Sequence, residues 1–406
     1  MHTIQMKEFI QKRLEEYDAD ARKLRHYFHE HPEISNHEVE TSKFLKQKVA
    51  SLGLEIEEVP ADDQSNGYGF IATLNTGKPG KTIGLRTDID GLPITENPKN
   101  LSHSRKVRSK HEGVMHACGH DGHMTTLLMT MKLLTELKDQ LTGTIIFIFE
   151  EGEEEITGIG GMIEHLKGRN IEAIYGNHFA SFLETGKISA DPGPVMAAAT
   201  TVDFKVIGQG GHASRPDLSV NPLYAGVDIL NSLSVAWNNQ LNIEKTVTLG
   251  MTQFHVGEAV NVFADEARIG GSIRYFDEDE GAKAYELVKK VARNVAKTHN
   301  CDIELMPASG PKTIPVINDE ALAEQAQESI DALFPGHLEK DVNWYASESF
   351  SHYREVAPYV FTFVGIKNEA LGSGAEHHSE LFDFDDEALK YAIGSMTKFT
   401  VDLLSK

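Results

Sequence analysis

The segment His116-Ala-Cys-Gly-His-Asp-Gly-His123 gathers one thiol and three imidazoles within eight residues. Thiolate and imidazole are the ligands that zinc-like ions prefer, and the segment stands at the start of a helical pattern, whose N-terminus lowers a cysteine's pKa. The bland alternative is a capped helix start with solvated histidines. Glu150, Glu151, Glu153, Glu154 and Glu155 place five carboxylates in six residues, directly after an apolar run. Such crowding raises carboxylate pKa values unless a cation sits nearby, although a solvated acidic loop is the common reading. Asp88 and Asp90 end another apolar run, His178 follows a short one, and His377 and His378 precede Leu381 and Phe382. Singly these are turn formers and hydrogen-bonded histidines. Together Cys118, His120, a Glu, His178 and a late His supply enough ligands for two ions in one crevice. Further along, Gly210-Gly-His-Ala-Ser214 sets His212 on a Gly-rich turn, with Asn261 and Arg274 near strand-like runs. An Arg there can bind a substrate carboxylate through two donors, or simply line a strand surface.

The surrounding elements must bring these groups together. Ser35 and Glu38 stand in capping-box spacing before an amphipathic run that ends at Gly53, which predicts an early helix. Runs 68–74 and 82–89, divided by Gly77, Pro79 and Gly80, read as neighbouring strands joined by a turn. A helix is expected over 122–137, a buried strand over 144–149 and another over 173–176. Alternation of this kind implies an α/β fold, a mostly parallel sheet sandwiched by helices, with its crevice beyond the carboxyl ends of the strands. From about residue 196 the texture changes. Runs 201–207, 246–255 and 266–275 alternate like antiparallel strands, with helices over 222–233 and 281–297. That is an inserted smaller α+β domain over 196–309, followed by a return to the first domain (1–195 and 310–406) with helices over 319–333 and 386–404 and a strand over 359–364.

Composition narrows the function classes. The 406 residues are enough for two or three domains, and 61 acidic against 39 basic residues leave a formal charge of −22. Such a surface repels phosphate backbones and anionic lipid, so neither nucleic acid nor a membrane is an expected partner. The longest apolar runs, such as 145–149, fall far short of the roughly 18–20 residues of a membrane span. No secretory apolar region marks the N-terminus, which suggests a cytoplasmic protein. Two cysteines, Cys118 and Cys301, rule out a disulfide framework.

Taken in order, Arg25-His-Tyr-Phe-His-Glu-His-Pro-Glu33 with Glu38 and Thr41, Leu85-Arg-Thr-Asp-Ile-Asp-Gly-Leu-Pro93, His116 to His123, Gly210 to Ser214 and His378-Ser-Glu-Leu-Phe382 resemble the M20 metallopeptidases. Within them the chain is most similar to aminoacylase-like amidohydrolases, the N-acyl-amino-acid, hippurate and indole-acetyl-amino-acid hydrolases. The resemblance implies a zinc-peptidase-like catalytic domain with an inserted lid and dimerisation domain. It also implies two divalent ions, Zn or Mn with Co or Ni as alternatives, held by Cys118, His120, Glu154, His178 and His378, the Cys bridging. Glu153 then matches the general base and Asp90 the acid that orients a ligand. Asp88 occupies the place of a ligand histidine in other branches and is expected behind the ligands. His212 matches the oxyanion donor, supplied across a homodimer, and Asn261 and Arg274 match the groups that grip the substrate carboxylate.

Three departures stand out. Phe149-Glu-Glu-Gly-Glu-Glu154 replaces Phe-Gln-Pro-Ala-Glu-Glu, Ser349 replaces an Asp within Ala346-Ser-Glu-Ser-Phe350, and Gly-Asn-His-Phe-Ala surrounds His178. The expected activity is metal-dependent removal of an acyl group from an N-acyl amino acid. The alternatives are an M20 dipeptidase or aminopeptidase acting on short peptides, a cysteine hydrolase using Cys118, and a binding protein on a disabled fold.

Overall fold

The computed structural model describes residues 3–405. The chain opens with α1 (Thr3–Glu30), a 28-residue helix without Gly or Pro. Met6, Ile10, Leu14, Ala21 and Phe28 recur at multiples of about one helical turn and are buried, which is why this polar-looking stretch folds as a helix. This helix goes beyond the sequence expectation, whose first element begins at Ser35. α2 (Val39–Ser51) follows and ends before Gly53 at φ +73°. The capping-box expectation fails there. The Glu33 carboxylate accepts the backbone N–H groups of Glu40 and Thr41 instead, and Ser35 and Glu38 turn to other partners.

The large sheet is built from β1 (Glu55–Glu58), β2 (Phe70–Asn75), β3 (Thr82–Asp88), β4 (Thr144–Glu150) and β5 (Ala173–Glu184), the strand Tyr359–Lys367 and two short edge pieces. Its order is β1, β2, β4, β3, β5, Tyr359–Lys367, then Ile188–Ser189 and Leu338–Glu339. β4, β3, β5 and Tyr359–Lys367 run parallel. β2 and β3 are therefore not neighbours, contrary to the sequence reading. The β4 strand lies between them, antiparallel to β2 and parallel to β3. β5 is also longer than expected, so His178 lies within it rather than after it. The helices α3 (His120–Glu136) and α4 (Ile159–Leu166) complete the first half of this unit, and Glu320–Leu333 and Ala388–Leu404 the second. A single buried cluster joins α1, α2, α3 and Ala388–Leu404 to the sheet, with Leu85, Phe147, Leu127, Ile393 and Phe399 among its members.

A second unit takes Pro194–Val316 and Asn343–Ser351. Val247–Val256, Glu266–Tyr275, Ala198–Ile207 and Asp302–Leu305 form an antiparallel sheet in that order. Helices Pro222–Gln240 and Glu278–Thr298 share its core, where Ile229, Leu233 and Val288 meet Val202, Phe204 and Ile269. The sequence reading closed this insert at residue 309 and gave 343–351 to the first domain. Trp344 instead pairs with Met196, and the Ala197 N–H donates to the Trp344 carbonyl at 3.1 Å. Backbone pairing of so few residues has no hydropathy signature.

Candidate metal centre

The ends of β3 and β4, the middle of β5, the N-terminus of α3 and the loop at His378 carry the candidate groups. Gly119 caps α3 at φ +86°, a left-handed conformation that lets the backbone turn between Cys118 and His120. His120 and His123 are thereby three residues apart on one face of the first turn, and both are buried. Asp121, between them, accepts from Arg25 Nη1 and His29 Nδ1 at 2.9 Å each, which ties the start of α3 to α1. Burial works against charge on His29, but Asp121 and Glu96 outweigh it and push its pKa up to about 9.

Hydrogen bonds fix the tautomers of His120, His178 and His123. His120 Nδ1 faces Asp90 Oδ1 at 3.1 Å and must donate, so its lone pair is on Nε2. His178 Nδ1 donates to the Phe179 carbonyl at 2.7 Å, which leaves its Nε2, 3.6 Å from Cys118 Sγ, as an acceptor. His123 accepts the Phe179 N–H at Nε2 and donates to Asp88 from Nδ1 at 2.8 Å, so both its nitrogens are committed to the fold. His116 is buried without a hydrogen-bond partner among the described residues, and burial holds its pKa down at about 4. His377 accepts the Ser181 N–H. Of the histidines in the two motif segments, His120 and His378 are the ones found in the ligand clusters with Cys118 or Glu154.

The five glutamates separate. Glu150 is locked by Arg86 Nε at 2.9 Å and the Tyr353 hydroxyl at 2.7 Å, and Glu151 accepts the Gly67 N–H. Glu155 is exposed. Glu153 Oε2 and Glu154 Oε1 approach His120 Nε2 at 3.9 and 3.6 Å. His378, in a left-handed conformation at φ +65°, brings Nε2 to 3.2 Å from Glu154 Oε2. Asp90, at the end of β3, receives the Ser35 hydroxyl and the Glu154 N–H on one oxygen and His120 on the other. Asp88 is bonded to Arg86 and His123.

Ligand atoms of Cys118, His120 and His178 lie within 4.8 Å of one another, as do those of Cys118, Glu154 and His378, and those of His120, Glu153 and Glu154. The first two groups share Cys118. His120 Nε2 and Glu154 Oε1 are both buried, with no hydrogen-bond partner among the described residues. Two lone pairs facing each other away from water are unfavourable until a cation or proton lies between them. Burial resists protonation of His120, but Asp88, Asp90 and Glu154 together push its pKa up to about 10. The donor set of S, N and O suits a borderline divalent ion.

The second unit holds the remaining predicted residues. Val262 pairs with His212 in a short ribbon, and the Ala213 N–H donates to the Asn261 carbonyl. His212 is exposed and accepts the Ser214 N–H at Nδ1, which leaves the proton on Nε2. Arg274 lies on Glu266–Tyr275, where it donates to Ser347 Oγ at 3.1 Å and burial lowers its pKa. No role was read from the sequence for Arg86, Tyr353 or, beyond its place among the three imidazoles of its segment, His123. An Arg inside the buried run Ile83-Gly-Leu-Arg86 was the available signal, since an unpaired buried charge is not tolerated.

A parallel sheet with clustered Cys, His and Glu at its strand ends is the framework of a two-ion amide hydrolase. Residues 84–401 match the family model described as Peptidase family M20/M25/M40. The chain belongs to this family, whose members hydrolyse amide bonds. It is 30% identical to thermostable carboxypeptidase 1 of Saccharolobus solfataricus over 376 residues, 90% of this chain and 91% of that one. It is 30% identical to N-acetylcysteine deacetylase of Bacillus subtilis over 383 residues, 94% of this chain and 96% of that one. The solved YXEP protein of Bacillus subtilis, described as a dinuclear metal-binding peptidase of the M20 family, matches with a TM-score of 0.81 at 28% identity, over 96% and 99% of the two chains. Among the described residues no helix is long and apolar enough to cross a membrane.

Proposed function

We propose that the chain is a metal-dependent amidohydrolase that cleaves N-acyl amino acids to a free amino acid and a carboxylate. The observation that carries this reading is the pair of ligand clusters sharing Cys118, beside the unpartnered Nε2 of His120. Two ions, Zn or Mn, would be held by Cys118, His120, Glu154, His178 and His378. Bound there, they supply Lewis acidity to a water and to the amide carbonyl. The Asp90 carboxylate keeps the His120 proton on Nδ1, and the Phe179 carbonyl does the same for His178. Glu153, buried next to His120, takes the proton of the attacking water and returns it to the leaving amine. His212 donates Nε2–H to the oxyanion, and Asn261 and Arg274 hold the α-carboxylate, which fixes the amide in register. The resemblance assigns His212 across a homodimer, so light scattering should report two copies.

Similarity to an N-acetylcysteine deacetylase favours N-acyl amino acids, and similarity to a carboxypeptidase keeps peptides as the competing substrates. The test is metal content per chain after loading, followed by a panel of N-acyl amino acids against dipeptides. About two retained ions and preferential deacylation are expected. Activity that survives complete chelation would move Cys118, with His178 beside it, to the role of nucleophile and overturn the proposal.

A further inference from the structure

Ser35 and Glu38 have the spacing of a capping box, yet neither side chain caps α2. The Ser35 hydroxyl donates to Asp90 Oδ2 at 2.7 Å, the same oxygen that receives the Glu154 N–H at 3.0 Å. Glu38, with no exposed surface, accepts the Gly152 N–H on Oε1 at 2.7 Å. Its Oε2 is buried without a partner among the described residues. Between them, Asn36 accepts the Thr157 hydroxyl at 3.0 Å and is itself left-handed at φ +63°. Three side chains of one linker therefore reach both acidic segments of the site.

The loop they reach is tightly constrained and holds one residue in a strained conformation. Gly152 sits at φ +61°, where an added Cβ would lie 2.0 Å from Thr157 Oγ1. Ile156 sits at φ +58°, a region that a β-branched residue adopts only when its surroundings enforce it. The turn between these two residues carries Glu153 and Glu154.

We propose that the linker 33–38 is a brace for the Glu153–Glu154 turn, with Glu38 and Ser35 as positioning residues that set the base and a ligand against His120. This rests on the roles given above to Glu153 and Glu154. Glu38 acts through the oxygen that accepts the Gly152 N–H, and burial, with Asp90 and Glu151 nearby, raises its pKa.

The test compares Glu38→Ala, Glu38→Gln and Ser35→Ala for kcat and KM on an N-acetyl amino acid, for Zn²⁺ affinity by chelator competition, and for Tm. Groups behind metal ligands typically change affinity or activity by about 10–100-fold. Glu38→Ala should lower kcat by about that factor with KM nearly unchanged, and Glu38→Gln, which keeps an oxygen for Gly152, should recover most of the loss. Ser35→Ala should weaken Zn²⁺ binding by about tenfold at unchanged Tm, again within that range. The proposal falls if Glu38→Ala and Ser35→Ala both keep wild-type kcat and Zn²⁺ affinity, or if Glu38→Gln is as impaired as Glu38→Ala. Should Glu38→Ala fail to fold, Ser35→Ala decides alone, and intact Zn²⁺ affinity there refutes the brace. Glu153→Gln serves as the control. Full activity in that variant refutes the assigned base itself, whereas an inactive Glu153→Gln beside intact brace variants refutes only the brace.

Discussion

Asp90→Asn tests the geometry most sharply, because it changes one atom and leaves the shape of the side chain. Asp90 Oδ2 receives two donors, Ser35 Oγ and the Glu154 N–H, while Oδ1 receives only His120 Nδ1. An asparagine therefore keeps its oxygen where two donors converge and turns its NH2 toward His120. That presents a donor to a donor. His120 relieves the clash by moving its proton to Nε2, the atom that faces Glu154 at 3.6 Å. Asp88 Oδ1 cannot hold the original tautomer, since at 3.6 Å from Nδ1 it lies beyond hydrogen-bond range. A protonated Nε2 is no ligand. A loss of about 10–100-fold in metal affinity is expected, equivalent to about 1.4–2.8 kcal/mol at 1.4 kcal/mol per tenfold. The assay is competition for Zn²⁺ with a chromophoric chelator, alongside Tm to confirm folding. A folded Asp90→Asn protein with unchanged Zn²⁺ affinity would refute the tautomer argument.

Cys118 belongs to two ligand clusters, so Cys118→Ala should reduce the retained ions, whereas Glu153→Ala should keep both and lose nearly all turnover; elemental analysis and kcat separate them. The pKa of His120 is raised from 6.5 to about 10 in the metal-free fold. Its stabilising contribution is therefore complete below about pH 6.5 and is lost as pH rises through about 10, and Tm of the metal-free protein should fall across that window. Metal binding near pH 8 must expel that proton, which calorimetry in buffers of different ionisation enthalpy would detect; a heat independent of buffer contradicts it. Arg86→Leu leaves Asp88 and Glu150 as buried charges without their cation, and should cost about 3–5 kcal/mol in chemical denaturation.

The parts of this molecule that were legible in the sequence are those written in local patterns. The helix at His120 and the strands at Thr82 and Thr144 announce themselves by period and punctuation, and the chemistry of the His116 to His123 segment by its residue types. Partner choice at a distance is not written locally. Ser35 and Glu38 satisfy a capping rule on paper, but Asp90 and Gly152 outcompete the helix end for them because both are buried acceptor and donor groups in need of partners. The five glutamates look alike in sequence and are told apart by Arg86, Tyr353 and Gly67, contributed by three separate segments. The order of β2, β4 and β3 likewise depends on which strand fills the gap, which alternation alone does not encode.

The two clusters that share Cys118 differ in enclosure. Cys118, His120 and His178 are all buried, whereas the other cluster includes His378, whose side chain is 51% exposed. If each cluster holds an ion, one in the enclosed cluster would be released more slowly than one at His378, where a single accessible imidazole can be displaced. The two sites would then keep different clocks. Exchange of a loaded protein into a second metal would then replace the outer ion first.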